Sequence, residues 1–331
     1  MEQALLPGTM YEHVSGGDPP IITELTLDQL RAFHRKHYHP SNSRIITYGD
    51  LDVLENLEFL SERLKGYEKM DKLFIKDSLK LFDAPKRIEV EGPLDTMSDA
   101  EKQNKIIVSL LTNKAMDVQE SFHMSILSFL LTNGPASPFY KALIDSNIGS
   151  DYSSGTGYNN SAFYSFFSVG LQGVSEADLL VVEREIEAVL QNALKTPFPQ
   201  SRIDAVVHLL ELSQKHKTAN FGLSMIQSLA GSWMRGADPF RVLKIDDRIA
   251  EFKRRLKEGN LFENLIQKYL LNNAHKLVFI MKPSASFNEK LGKKEQEILL
   301  NAMELKGSKE KFYEKGVELL KKQEEKEGKR Q

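Results

Sequence analysis

Short runs of β-branched and aromatic residues lie far apart in this chain, with several helix-length amphipathic segments between them. That order constrains the fold more than any other feature. Strand patterns occur at 45–48 (closed by Gly49), 87–91 (Ile88 and Val90 alternating with charged residues), 105–111, 163–170 and 277–281. Helical periodicity fills 27–38, where Thr26 caps the start and Pro40 forces the stop, and 53–64, where Leu54, Leu57, Leu60 and Leu64 share a face. Further helices are expected at 118–131, halted by Asn133-Gly134-Pro135, and after Ser137 as far as Ile144. The rest fall at 176–194 and 200–214, parted by Pro197-Phe198-Pro199, and at 221–234, 245–256 and 261–271. Strands in antiparallel-like pairs separated by several helices do not make βαβ repeats. They predict an α+β fold: one mainly antiparallel sheet with helices packed on one face, followed by a C-terminal helical hairpin.

Past Ser284 the composition turns to lysine, glutamate and leucine, with glycine breaks at Gly292, Gly307 and Gly316, as in solvent-facing helices, and a frayed tail is expected from Gln323. A chain of 331 residues suffices for one large or two ordinary domains. Its 44 basic and 46 acidic residues leave a net charge of -2, too little to recruit nucleic acid or an anionic membrane, so neither is an expected partner. No apolar run reaches the roughly 20 residues that span a bilayer. There are no cysteines, which removes disulfides and thiolate metal sites and suits a reducing compartment or a mitochondrial matrix. The first residues show neither a secretory leader nor an arginine-rich transit peptide.

Five groups of residues invite a chemical reading. His34, His37 and His39 form the densest imidazole cluster, but His39 lies past the helix end and no carboxylate is spaced to complete a metal set, so packing and capping are expected. Gly16-Gly17-Asp18-Pro19 lacks the strand, helix and lysine of a phosphate loop and reads as a turn. The small polar stretch 150–158, with Ser153, Ser154, Gly155, Gly157 and Tyr158, permits close approach of a peptide or serves as a flexible connection. Asp204, His208 and Glu211 stand at helical spacing in the manner of a proton relay, with no nucleophile tied to them; surface pairing or a buried hydrogen bond is the default. Phe163, Tyr164, Phe166 and Phe167 have no accompanying basic stripe and read as core and domain-interface residues, not as a base-stacking platform.

Two blocks carry a family resemblance. VSGGDPPIITELTLDQLRAFHRKHYHPSNSRIITYG, residues 14–49, and LTNGPASPFYKALIDSNIGSDYSSGTGY, residues 131–158, followed by FFSVGLQGV, resemble pitrilysin-type (inverzincin) zinc metallopeptidases, most closely their presequence protease branch. The resemblance covers about 5–320. Catalysis in that family needs an H-x-x-E-H helix, two histidines for zinc and a glutamate to activate water. No such string occurs; in the closest approach, His208-Leu-Leu-Glu211-Leu212, a leucine holds the second ligand position. The resemblance therefore implies a non-catalytic domain, the second of the N-terminal half, within a parent that uses zinc to degrade short unfolded peptides, such as targeting presequences, in an enclosed chamber. Residues 1–20 would be the tail of the preceding domain and the opening loop, 21–285 the α+β domain, and 286–331 the start of the helical connector. No catalytic or metal residue and no cofactor is expected in this chain itself. Its implied partners are the other domains of the parent and the peptide. Ser153 to Tyr158 would face the chamber, while Gly16, Gly17, Asp18, Pro19, His39, Pro40 and Asn42 would form a structural domain-opening motif. The branch suggests a mitochondrial matrix or other organelle. The alternative is a free-standing, non-catalytic homologue acting as an interaction subunit.

Overall fold

In the computed structural model, which describes residues 1–71, 78–99, 101–217, 219–306 and 308–328, six strands form one open sheet. They are β1 (Lys86–Pro93), β2 (Asn104–Lys114), β3 (Asp151–Tyr152), β4 (Gly157–Asn159), β5 (Tyr164–Val174) and β6 (Lys276–Ser284), in the order β1-β6-β2-β5-β3, with β4 also on β5. Every pairing is antiparallel except β1 with β6, which is parallel. Register explains the core. Ile106 of β2 stands between Leu171 of β5 and Ile280 of β6, and Val108 between Val169 and Val278, so alternate residues of three strands stack in apolar rows on one face.

The helices are α1 (Glu2–Leu5), α2 (Pro19–Ile22), α3 (Leu27–His37), α4 (Val53–Leu64), α5 (Val118–Thr132), α6 (Leu179–Lys195), α7 (Gln200–Lys215), α8 (Phe221–Met234), α9 (Pro239–Leu243), α10 (Ile245–Glu258), α11 (Leu261–Leu265), α12 (Phe287–Lys306) and α13 (Lys309–Gly328). Those covering the apolar rows are α5, α6, α7, α10 and α11, through Phe122, Ile126, Val182, Ile186, Val206 and Phe252 among others. Each such side chain contributes about 1.5–3 kcal/mol on leaving water. Two wide π-type turns, Tyr140–Ile144 and Ile266–Leu271, join this layer; Ser137 caps the first, accepting from the Tyr140 N–H at 3.4 Å. The opposite face of the sheet carries a smaller cluster in which Leu5 and Leu6 of the N-terminal segment meet Phe82, Phe166 and Leu277.

Four expectations need correction. Residues 45–48 form no strand: their backbone is extended, but among the described residues nothing pairs with it, and a β-branched sequence without a ladder partner stays unpaired. The polar stretch at 150–158 carries two short edge strands, β3 and β4, both paired with β5, which its composition does not predict. The chain does not fray at Gln323, because α13 continues to Gly328 with Lys322 bonded to Glu318 and Gln323 to Glu327 along one face. Two C-terminal helices follow the sheet, and the breaks expected at Gly292 and Gly316 do not occur, because each glycine lies inside a continuous helix, α12 or α13; the break expected at Gly307 lies outside the described residues. The segment 13–70 also differs from the rest of the chain. It contains no buried residue, although α3 has a complete capping box between Thr26 and Gln29, and Leu27, Leu30, Phe33, Leu54, Leu57 and Phe59 are all exposed.

Candidate functional site

The polar stretch becomes an interrupted edge strand, β3 then β4, because β5 offers an open side. Asp151 and Tyr152 pair with Gln172 and Leu171, and Gly157 to Asn159 pair with Ser168 to Phe166. The intervening loop folds back through Ser153 N–H to the Gly170 carbonyl at 2.9 Å and Thr156 N–H to the Ser153 carbonyl at 3.1 Å. Gly155 (φ 92°) and Gly157 (φ 122°) take backbone angles that side chains resist, which makes the fold-back accessible. Of the five sequence-designated residues, Ser153 is buried and Ser154 and Gly155 are exposed at the tip. Tyr158 is anchored inward: its N–H donates to Ser128 Oγ at 2.9 Å, and its hydroxyl lies 2.9 Å from Asn113 Oδ1 and 3.0 Å from Ser121 Oγ. Burial raises the pKa of its phenol and pushes that of neighbouring Tyr152 up to about 12. Both stay neutral across the physiological range, and of the two hydroxyls it is that of Tyr158 that is hydrogen-bonded.

The residues expected to form a domain-opening motif lie in two separate turns. Gly17 sits at φ 82° and donates to the Val14 carbonyl at 2.9 Å; Asp18 then precedes Pro19 at the first turn of α2. His39 Nδ1 accepts from Ser41 N–H at 3.2 Å, Pro40 starts a 3-10 turn, and the Asn42 amide donates to the His37 carbonyl at 3.0 Å. The imidazoles do not converge, since His34 stacks on Tyr38 and His37 on Phe33, while His39 meets the edge of Tyr67. Nor does the relay spacing assemble a relay. Asp204 accepts from Gln200, Glu211 pairs with Lys215 at 2.8 Å, and His208 is exposed on α7. Among the described residues no three of His, Cys, Asp or Glu are grouped as a metal ion would need. The residues present do not fit a zinc centre.

One network had no signature in sequence. On α5, Glu120 faces His123 (Oε2 to Nδ1, 3.7 Å), accepts from the Tyr269 hydroxyl at 2.9 Å and lies 3.3 Å from Lys268 Nζ, the last two arriving from about 150 residues away. His123, with Lys268 and Tyr269 adding to it, holds the Glu120 carboxyl at about 2. That stabilisation is present above the usual carboxylate range and is lost as pH falls toward 2. Only the Glu120–His123 spacing is visible in the chain. The network clamps the wide turn at 266–271 to α5 and touches no reacting group.

The family description of the peptidase M16 inactive domain matches residues 24–210. Mitochondrial presequence proteases are similar over most of the chain: that of Gibberella zeae is 43% identical over 287 residues, covering 86% of this chain and 28% of that protein. That of Schizosaccharomyces pombe is 39% identical over 298 residues (90% and 30%), and that of Danio rerio 36% identical over 325 residues (97% and 32%). The chain thus spans about three tenths of the length of these curated relatives. In fold it is similar to the crystal structure of a peptidase M16 inactive domain from Pseudomonas fluorescens, with a TM-score of 0.61 at 21% identity, covering 85% of this chain and 63% of that one. A protease from Helicobacter pylori gives 0.59 at 16% identity, covering 81% and 62%. The chain belongs to the peptidase M16 family, the pitrilysin-type family its sequence resembles, and matches that family's inactive domain with mitochondrial presequence proteases as its relatives.

Proposed function

We propose that this chain is a non-catalytic wall domain of a zinc metallopeptidase that encloses short unfolded peptides, such as targeting presequences, in a chamber and hydrolyses them with zinc held elsewhere in the parent. The observation that carries this is the inactive-domain match over 24–210 in a chain whose relatives are presequence proteases about three times its length. In this reading 1–20 is the tail of the preceding domain and the opening loop, 21–285 the wall domain and 286–331 the start of the connector. The exposed tip at Ser154 and Gly155 is its peptide-facing part, and the parent works in the mitochondrion, where the relatives are named.

The segment 13–70 supports the reading on physical grounds. An extended Ile45-Ile46-Thr47-Tyr48 run with no ladder, flanked by two helices whose leucines and phenylalanines face solvent, is the kind of surface that a neighbouring sheet covers. The remaining domains of the parent are the partner it fits. Adding zinc and a quenched peptide to the isolated chain is expected to give no chelator-sensitive turnover, and robust turnover would overturn the proposal. The alternative, a free-standing interaction subunit, predicts instead that the isolated chain buries 13–70 against a separate polypeptide.

A further inference from the structure

Helix α8 is apolar along most of its length, yet Leu229 is its one buried residue, and Leu223 and Met234 are exposed. A helix of that composition is ordinarily covered on every side. Beneath it lies a cleft of about 480 Å³, bounded by α5, α7, α9 and α10, with Phe122, Leu210 and Ile245 on the body side and Met225 on the helix. Its outer side carries the extended run 44–48. Tyr48 lies so close over Gly222 that an added Cβ would stand 2.4 Å from its ring. Arg44 lies 5.5 Å from the Trp233 ring and donates to Met234 Sδ at 3.6 Å. The rise of the helix from Gly222 to Trp233 is about 16 Å and the reach of extended chain from Arg44 to Tyr48 about 13 Å, so the run lies antiparallel along α8 and touches it near both ends.

The two ends of α8 are held differently. At the C-terminal end Arg235 donates to the Ser161 carbonyl at 3.3 Å, and α9 beyond it is tied to α10 by Arg248, which donates to the Val242 carbonyl at 2.9 Å. Gly236, at φ 93°, stands between these two ties. At the N-terminal end the helix has no side-chain cap, and the ring of Tyr48 rests on it from outside. The helices across the cleft are bound more firmly, because α5, α7 and α10 pack on one another through Phe122, Val206 and Phe252. We infer that α8 is a hinged lid over the cleft, pivoting beside Gly236 and set by the 44–48 run, so that displacing the region 13–70 widens or narrows the cleft. An element with few buried contacts opens at low cost, and a short segment at its end absorbs the change of angle. The inference rests on the proposed function in one respect, that neighbouring domains covering 13–70 are what displaces it. The hinge itself lies within this chain.

The chain has no cysteine, so nitroxide labels go only where cysteines are placed. Double electron–electron resonance on the full chain compares two labelled pairs. Gln227→Cys with Lys253→Cys spans the cleft from α8 to α10, and Gln191→Cys with Lys253→Cys lies within the body from α6 to α10; all three sites are exposed. The distance distribution across the cleft is expected to be about twice as wide as that within the body. Tyr48 is 50% exposed, so Tyr48→Ala is expected to leave Tm unchanged while shifting the mean distance across the cleft and raising amide exchange in α8 about tenfold, with α5, α7 and α10 unchanged. Gly222→Leu, which displaces the Tyr48 ring without removing it, is expected to shift the same distance. Equal widths for the two pairs, or a distance across the cleft that neither variant moves, overturns the inference. So does a rise in exchange that extends to α5, α7 and α10, since Tyr48 would then support the whole fold and not the lid. Each of these outcomes leaves the wall-domain reading standing; the zinc assay on the isolated chain decides that separately.

Discussion

His275 shows how one side chain fastens a terminal segment to the sheet. Only 4% exposed, its ring stacks on Phe82 at 3.8 Å, Nδ1 accepts from the Phe82 N–H at 3.0 Å, and Nε2 lies 2.7 Å from the Leu5 carbonyl. With Nδ1 accepting, the proton sits on Nε2 and the ring is neutral; a second proton would face the Phe82 N–H. Burial lowers its pKa, and the charge of nearby Lys86 adds to that. A histidine depressed in the fold stabilises it fully above its ordinary value of about 6.5 and loses that contribution as pH falls through it. His275→Phe keeps the stack but leaves the Leu5 carbonyl and Phe82 N–H unpaired, so it is expected to cost about 1–3 kcal/mol in urea unfolding at pH 7.5. The gap between wild type and variant should narrow by pH 5; a gap independent of pH would show that the imidazole is not held neutral. Nothing in the sequence around position 275 marks this role, because both partners lie more than 190 residues away.

At the scale of elements, what was legible is what is local. Thr26, Pro40, Asn133-Gly134-Pro135 and Pro197-Phe198-Pro199 set helix limits through caps and lost N–H groups, and α3, α5 and α7 fall where those signals place them, while α4 and α8 follow their apolar periodicity. The failures are pairing failures. The run at 45–48 has strand composition and no partner, whereas the 150–158 stretch has weak strand composition and gains β3 and β4 because β5 has an open edge. The parallel placement of β1 beside β6, nearly 190 residues apart, has no local signal either; charges at Arg87, Glu89 and Glu91, paired with Glu183, Lys282 and Lys290, hold that edge. Glycines separate the two kinds of element. At Gly170 an added Cβ would lie 2.0 Å from the Ile106 carbonyl oxygen and 2.6 Å from Ile107 Cα, both backbone atoms in the next strand, so Gly170→Ala is expected to destabilise by about 3 kcal/mol or more. Gly316 in α13 meets nothing, and Gly316→Ala should raise stability by up to about 1 kcal/mol. Thermal melts of the two variants check the pair, and equal shifts would contradict the packing.

For the whole molecule, the division between a packed body and an exposed N-terminal region is the feature that bears on function. The stretch 150–158, singled out in the sequence, proves to be part of the body, with Tyr158 anchored and Ser154 and Gly155 exposed at its tip. The cleft under α8 was hidden because its lining comes from five separate helices. Because Leu30 and Leu57 are 59% and 56% exposed, Leu30→Asp and Leu57→Lys should each change the stability of the isolated chain by less than about 0.5 kcal/mol. In a larger protein that covers 13–70 they should be strongly destabilising. The central claim, that these residues are the wall of a zinc peptidase and not its cutting centre, is tested most directly by a chimera. The matching third of the Schizosaccharomyces pombe presequence protease is replaced by this chain, and zinc-dependent turnover of a quenched peptide is measured beside a deletion of that third. The account predicts that the chimera cleaves in a chelator-sensitive manner while the deletion and this chain alone do not; a folded but inactive chimera, or cleavage by this chain alone, would contradict it.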